Sequence, residues 1–212
     1  MSFLHQTLLQ FLEEVDSKSA TPGGGSVSAL SALLGISLAR MVCHVTIGRK
    51  AFKALSEEQQ QELHTAFEEL AWLKEAVLPL VDEDTKAFNA IMEAYRLPKE
   101  SDQEQHIRNQ AIEQATIGAI DVPLHVASLS LQAVQQLPPI VTFGNKNAIS
   151  DVGVALLELS TAAQGALMNV EINLSGLSDV KQKAHYTETS DQLKQALFEN
   201  IQNVHHLIQQ RN

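Results

Sequence analysis

Leu63, Leu70, Val77, Asp84 and Ile91 fall seven residues apart, with Phe67, Val81, Phe88 and Tyr95 four residues beyond members of that series. This stripe constrains the fold more than any other feature of the sequence. Seven residues bring a helix to within about 20° of whole turns, so such a series stays on one face over two or three heptads. Pro79 interrupts it and predicts a kink, yet Leu80, Val81, Asp84, Phe88 and Ile91 continue the pattern beyond it. Asp84 therefore occupies a core position on an apolar face. Removing a carboxylate from water costs several kcal/mol unless it is paired or protonated, so Asp84 needs a partner or a task. Desolvation raises such a group from about 3.9 toward the range useful for general acid or base work. The competing reading is structural: an acid bonded to a backbone group freed by Pro79. Asp82 and Glu83 face elsewhere and read as solvated charges.

The rest of the chain repeats the helical pattern. Leu4, Leu8, Phe11, Leu12 and Val15 give a short amphipathic helix ending near Asp16. Thr21, Pro22 and three glycines lead into a helix over about Ser26 to Ile47, whose Ala29, Ala32, Gly35 and Ala39 offer a small-residue surface, with Gly48 as its stop. Ser56 and Gln59 form a capping-box signature that opens the long striped helix, which runs to Leu97 before Pro98. A further helix begins near Ser101, meets Pro123 as a restart or bend, and reaches about Leu137. Only Asp121 is charged between Thr116 and Leu137, which predicts a central position. Pro138 to Ala148 reads as a polar loop, followed by helices over about Ser150 to Leu174 and Ser178 to Asn212. With no fixed-period repeat and no strong hairpin signal, the expectation is all-α: one domain over residues 1–212, a helical bundle with long, partly kinked helices.

Composition narrows the function. A formal net charge of −10 argues against sequence-independent nucleic-acid binding, so an anionic ligand must find a local basic patch. The single cysteine, Cys43, excludes an intrachain disulfide and fits a reducing compartment. No secretory signal pattern is visible in Met1 to Asp16, so cytoplasm is the expectation. The uncharged run Ser19 to Ala39 resembles a membrane span, but its proline, glycines and recurring serines fit a buried core helix better, and no membrane partner is expected. The eight histidines show no i, i+4 pair, so no metal site is predicted.

Gly23, Gly24, Gly25 and Ser26 can present backbone N–H groups at a helix N-terminus, a natural seat for a carboxylate, a phosphate or a polarised carbonyl. A tight entry turn for close helix packing explains the same glycines equally well. Arg49 and Lys50 follow the other end of that helix, on the order of 30 Å away at 1.5 Å per residue. Asp151 and Asn169 are separated by five whole turns, on one face but roughly 27 Å apart. One protomer can hardly use both ends in one small site. If all these residues are functional, the simplest geometry is a symmetric dimer whose sites take one end from each protomer. Asn169 and Asn173, an i, i+4 pair, suit either bonding to a neighbouring helix or reading a heterocycle.

Several stretches together resemble a known family. Ser19-Ala-Thr-Pro-Gly-Gly-Gly-Ser26, continuing to Met41-Val42 and Thr46-Ile-Gly-Arg-Lys50, is similar to the signature of the folate cyclodeaminase and cyclohydrolase family. That family includes the cyclodeaminase half of formiminotransferase-cyclodeaminase and bacterial methenyltetrahydrofolate cyclohydrolases. Val81 to Phe88 with Arg96 to Lys99, Gly144-Asn145 with Ser150-Asp151, and Asn169-Val170 with Asn173-Leu174 agree in order. The likeness spans nearly the whole chain and departs at Cys43-His44-Val45, where relatives more often carry small or amide residues and Leu.

The resemblance implies an all-α homodimer that binds a tetrahydrofolate derivative, polyglutamylated or not, as substrate and holds no permanent cofactor. Asp84 matches the family's proposed catalytic acid. Pro22, Gly23, Gly24, Gly25, Ser26, Arg49, Lys50, Asn145, Asp151 and Asn169 form the expected substrate-binding set. The expected reaction is hydrolysis of 5,10-methenyltetrahydrofolate to 10-formyltetrahydrofolate. The alternatives are cyclodeamination of formimidoyltetrahydrofolate with release of ammonia, action on another cyclic amidine, and a non-catalytic helical adaptor. The missing formiminotransferase half tilts the expectation toward hydrolysis, which needs no separate transferase.

Overall fold

A computed structural model describes residues 2–211, and among these there is no strand. After a 3-10 turn at Phe3–His5, the helices are α1 Leu8–Val15, α2 Gly24–His44, α3 Lys50–Lys53, α4 Glu57–Val77 and α5 Leu80–Arg96. They continue as α6 Asp102–Gln135, α7 Leu137–Phe143, α8 Ile149–Leu174 and α9 Val180–Arg211. The all-α expectation holds.

α2 and α8 form the spine, antiparallel and in close contact along their length. A Cβ on Gly35 would come within 2.8 Å of Leu159 Cγ and 2.9 Å of the Ala155 carbonyl, and one on Gly165 within 2.6 Å of Ser28 Oγ. The small residues of α2 thus let two backbones approach as their spacing predicts. The core around the spine takes Ile36 and Val42 from α2, Leu63, Leu70 and Val77 from α4, Leu129 and Val134 from α6, and Leu159 from α8. Gly24–His44 and Asp102–Phe143 are each long and apolar enough to cross a membrane, but 56% of each apolar window is buried inside this fold.

Two prolines act differently. At Pro79 the chain stays in helical dihedrals, yet α4 stops at Val77 and α5 restarts at Leu80, the interruption that a missing N–H imposes. Pro123 is buried inside an unbroken α6. It leaves the Ala119 carbonyl without its helical donor, and Asn173 Nδ2 on α8 supplies a bond of 2.7 Å instead. Asn173 therefore takes the structural option, bonding a neighbouring helix. The uncharged part of α6 is central as expected, with Ile120, Val126, Leu129 and Val134 buried.

Three local expectations need correction. The polar loop placed at Pro138 to Ala148 is helical in its first half, because Pro138 and Pro139 occupy the opening turn of α7, where no N–H is needed. Asp82 is not a solvated charge: its Oδ1 accepts the Phe3 N–H at 2.8 Å and docks the N-terminal segment on α5. The apolar stripe is buried through Leu63, Leu70, Val77 and Val81, then emerges into solvent at Phe88 and Tyr95. Other exposed apolar side chains lie on α1 (Leu8, Leu9, Leu12) and along the outer side of the spine (Leu34, Leu157, Met168, Ile172).

Candidate active site

Gly23 opens α2 from an extended conformation with no side-chain cap, so the first amides of the helix look for partners outside it. The Ser26 N–H finds Asp84 Oδ2 at 3.0 Å, and Ser26 Oγ donates to the same oxygen at 3.2 Å. Thr85 Oγ1 stands 3.5 Å from Ser26 Oγ. Of the groups that suit such an N-terminus, a carboxylate, a phosphate or a polarised carbonyl, the one found there is a carboxylate, the chain's own Asp84. Its partner is the α2 amide and not a backbone group freed by Pro79, because α5 packs against α2 with Asp84 at the start of that helix. The amides of Gly24 and Gly25 make no hydrogen bond among the described residues and remain donors at the positive end of the helix.

The glycines have distinct spatial reasons. A Cβ on Gly25 would overlap Asp84 Oδ1 and Cγ and lie 2.8 Å from Oδ2, so only glycine lets the carboxylate lie against the helix. On Gly24 a Cβ would stand 3.2 Å from Asn169 Nδ2. Asn169 itself donates to the Gly165 carbonyl of its own helix at 2.8 Å, which sets its amide beside the glycine turn. Pro22 is buried beneath that turn.

Two effects act on Asp84 in opposite directions. Burial, the larger, raises its pKa above the usual carboxylate range, while the two bonds from Ser26 pull it back. An acid held by a helix N-terminus yet biased toward protonation can accept and return a proton. Cys43, in contrast, is fully buried and its thiol is pushed up to about 12, which leaves it inert.

The other end of the spine carries a second constellation. Arg49, Lys50, Lys146 and Arg211 line a cleft of about 620 Å³ whose wall also includes Thr46, Phe52, Gly144 and Asn145 and contains no acid. Both ion pairs among the described residues involve Lys194, so none of these four cations is neutralised by a salt bridge there. Arg49 stands just before the short helix α3, without a side-chain capping bond, and Lys50 begins it, an element that the sequence did not predict. The Asn145 N–H donates to Thr46 Oγ1 at 2.8 Å, tying the loop after α7 to the end of α2.

The structure therefore sorts the expected site residues into two groups. Pro22, Gly23, Gly24, Gly25, Ser26, Asp84 and Asn169 gather at one end of the spine, and Arg49, Lys50 and Asn145 at the other. Between them runs α2, whose 21 residues span about 30 Å. Asp151, in the first turn of α8, belongs to the cationic end but does not line the cleft. Thr46, Thr85, Lys146 and Arg211 were not singled out from sequence. Lys146 stood beside Asn145 in a polar loop, whereas Arg211 carried no signal on an amphipathic terminal helix.

Comparison with known proteins supplies the relationship. The family model described as formiminotransferase-cyclodeaminase matches residues 7–192. A methenyltetrahydrofolate cyclohydrolase from Methylorubrum extorquens is 35% identical over 175 residues, 82% of this chain and 82% of that protein. The formimidoyltransferase-cyclodeaminase of Mus musculus is 37% identical over 194 residues, which are 89% of this chain but 35% of that protein. The chain thus spans about a third of the two-part relatives. The crystal structure of formiminotetrahydrofolate cyclodeaminase from Thermotoga maritima has a TM-score of 0.85 and 25% identity, covering 98% of both chains. The chain belongs to the formiminotransferase-cyclodeaminase family.

Proposed function

We propose that this chain hydrolyses 5,10-methenyltetrahydrofolate to 10-formyltetrahydrofolate, with Asp84 as the general acid and base. The observation that carries the proposal is the placement of Asp84: a carboxylate against the N-terminus of α2, raised by burial and flanked by two unbonded amides. The ionised acid faces the cationic methenyl carbon, takes a proton from attacking water, and returns a proton to the ring nitrogen as its bond to that carbon breaks. The second proton of the water leaves when the formyl carbonyl forms. The Gly24 and Gly25 amides suit the oxygen that develops on the attacked carbon.

The cationic cleft supports the folate half of the reading, since it offers unpaired positive charge to the glutamate carboxylates in a chain of net charge −10. Because cleft and acid lie at opposite ends of α2, the working unit is a two-fold dimer in which one protomer gives the Asp84 end and its partner the cationic end. Exposed Leu34 on α2 with Leu157, Met168 and Ile172 on α8 provide an apolar face along the spine for that contact. The reaction belongs in a reducing cytoplasm.

Cyclodeamination of formimidoyltetrahydrofolate remains a second reading, favoured by one specific observation. The Thermotoga maritima cyclodeaminase matches over 98% of its own length, so a chain of this extent suits cyclodeamination as well as hydrolysis. There Asp84 assists departure of ammonia. The deciding experiment follows absorbance loss of 5,10-methenyltetrahydrofolate, corrected for spontaneous hydrolysis, with wild type and Asp84→Asn. Acceleration that the variant loses by about 100-fold or more, with fold intact, is the expected result. A loss below tenfold refutes the catalytic role. No acceleration by wild type, with ammonia released from the formimidoyl compound, selects cyclodeamination.

A further inference from the structure

Arg211 is the last residue of α9 and lies beyond the stretch that the family model matches, residues 7–192. Its side chain reaches back to the loop after α7. Nη1 donates to the Val141 carbonyl, and Nη2 donates to the Gly144 carbonyl at 2.6 Å. Val141 lies in the last turn of α7, where helix carbonyls lack internal donors, so a cation there is favourable on two counts. Burial acts against the charge of Arg211 and lowers its pKa from the ordinary arginine value.

The loop that Arg211 holds is the one that shapes the cationic cleft. Gly144 is buried, and a Cβ there would run into the Ile140 carbonyl and stand 3.3 Å from Val42 Cγ1. From the other side, Thr46 Oγ1 accepts the Asn145 N–H and donates to the Val42 carbonyl at 2.6 Å. Asn145 Oδ1 then accepts the Asn147 N–H at 3.1 Å and closes the turn that leads into Lys146. The turn is therefore clamped twice, by the end of α2 and by the end of α9. A guanidinium has five donors, two of which this clamp uses, and Arg211 also lines the cleft beside Arg49, Lys50 and Lys146.

We propose that Arg211 is a positioning residue for the anionic part of the substrate: it fixes the Gly144–Asn147 turn so that Asn145 and Lys146 face the cleft, and it adds a further positive charge there. The inference rests on the folate reading above, in which the cleft takes glutamate carboxylates. α9 thereby contributes to substrate affinity from residues outside the matched family region.

The test uses the full chain with Arg211→Gln and Arg211→Lys. Lysine keeps the charge but cannot bridge two carbonyls as a fork does. Three quantities are read: KM and kcat on whichever folate the wild type turns over, the dissociation constant of 5-formyltetrahydrofolate, a stable reduced folate, and hydrogen exchange at the Asn145 amide. The expected result for Arg211→Gln is a KM and a dissociation constant each raised about tenfold, kcat within about twofold, and faster exchange at Asn145. Arg211→Lys exchanges as fast but loses less affinity, and it carries the test if the glutamine variant does not fold. Unchanged affinity, or a fall in kcat at constant KM, overturns the proposal while leaving the folate reading intact. A wild type that neither binds the probe nor turns over either folate overturns that reading, and this inference with it.

Discussion

Gly25 is the position at which one added methyl group disturbs Asp84 most directly. The methyl group of Gly25→Ala would overlap Asp84 Oδ1 and Cγ and lie 2.8 Å from Oδ2, against an ordinary contact near about 3.5 Å. The carboxylate must retreat by about 1.5 Å, which takes Ser26 N to Oδ2 from 3.0 Å past the limit of a hydrogen bond. Losing the bonds that hold a charged acceptor costs about 1.5–3 kcal/mol, and an ångström of misplacement in a catalytic group costs about 100-fold in rate. For a chain of this size, at about 2–4 °C per kcal/mol, the expected fall in melting temperature is about 3–12 °C. Turnover of the folate substrate and thermal melting by circular dichroism provide the two readouts. Gly118→Ala is the control, since a Cβ there meets nothing within 4 Å in the interior of α6 and gains about 0.5–1 kcal/mol from helix propensity. If Gly25→Ala keeps kcat within about threefold while the control behaves as described, Asp84 does not act from the position it holds here.

Because burial raises Asp84, its protonated form is favoured by the fold, a contribution present at low pH and lost as pH rises through the raised value. Above that value Asp84→Asn should melt no lower than wild type, and wild-type kcat should climb with pH across a midpoint above the usual carboxylate range; a flat profile from acid to neutral pH contradicts the base role. In α6, Asn173→Ala should cost about 1–3 kcal/mol by orphaning the Ala119 carbonyl, and in a Pro123→Ala background, which restores the helical N–H, it should cost about half as much or less. Equal costs in both backgrounds, measured by urea unfolding, would mean that Asn173 contributes something other than that bond.

The parts of the fold written in local chemistry were legible in the sequence. Ser56 and Gln59 form the capping box that starts α4, and Pro79 breaks the helix where its missing N–H requires. The small residues of α2 marked the close approach to α8. What local patterns do not encode is which distant element meets which. The acid at position 84 and the glycines at 23–25 were both singled out, but that each is the other's partner depends on how α5 leans against α2. Phe88 and Tyr95 continue a stripe that reads as core, and they are exposed because nothing among the described residues covers that face. Arg211 is invisible to pattern because its work is done through backbone carbonyls, which every residue possesses.

The rigid pair α2 and α8 also acts as a gauge. One added residue within α2 would turn everything beyond it by about 100° and advance it by about 1.5 Å. Arg49, Lys50 and Thr46 would then lose register with Gly144 and Asn145, although no side chain at either end had changed. Tolerance of length variation should accordingly divide the chain sharply. The exposed connection around Pro98–Glu100 can lengthen without consequence for either cluster, whereas the 21 residues of α2 behave as a fixed measure whose count is as much a part of the site as Asp84.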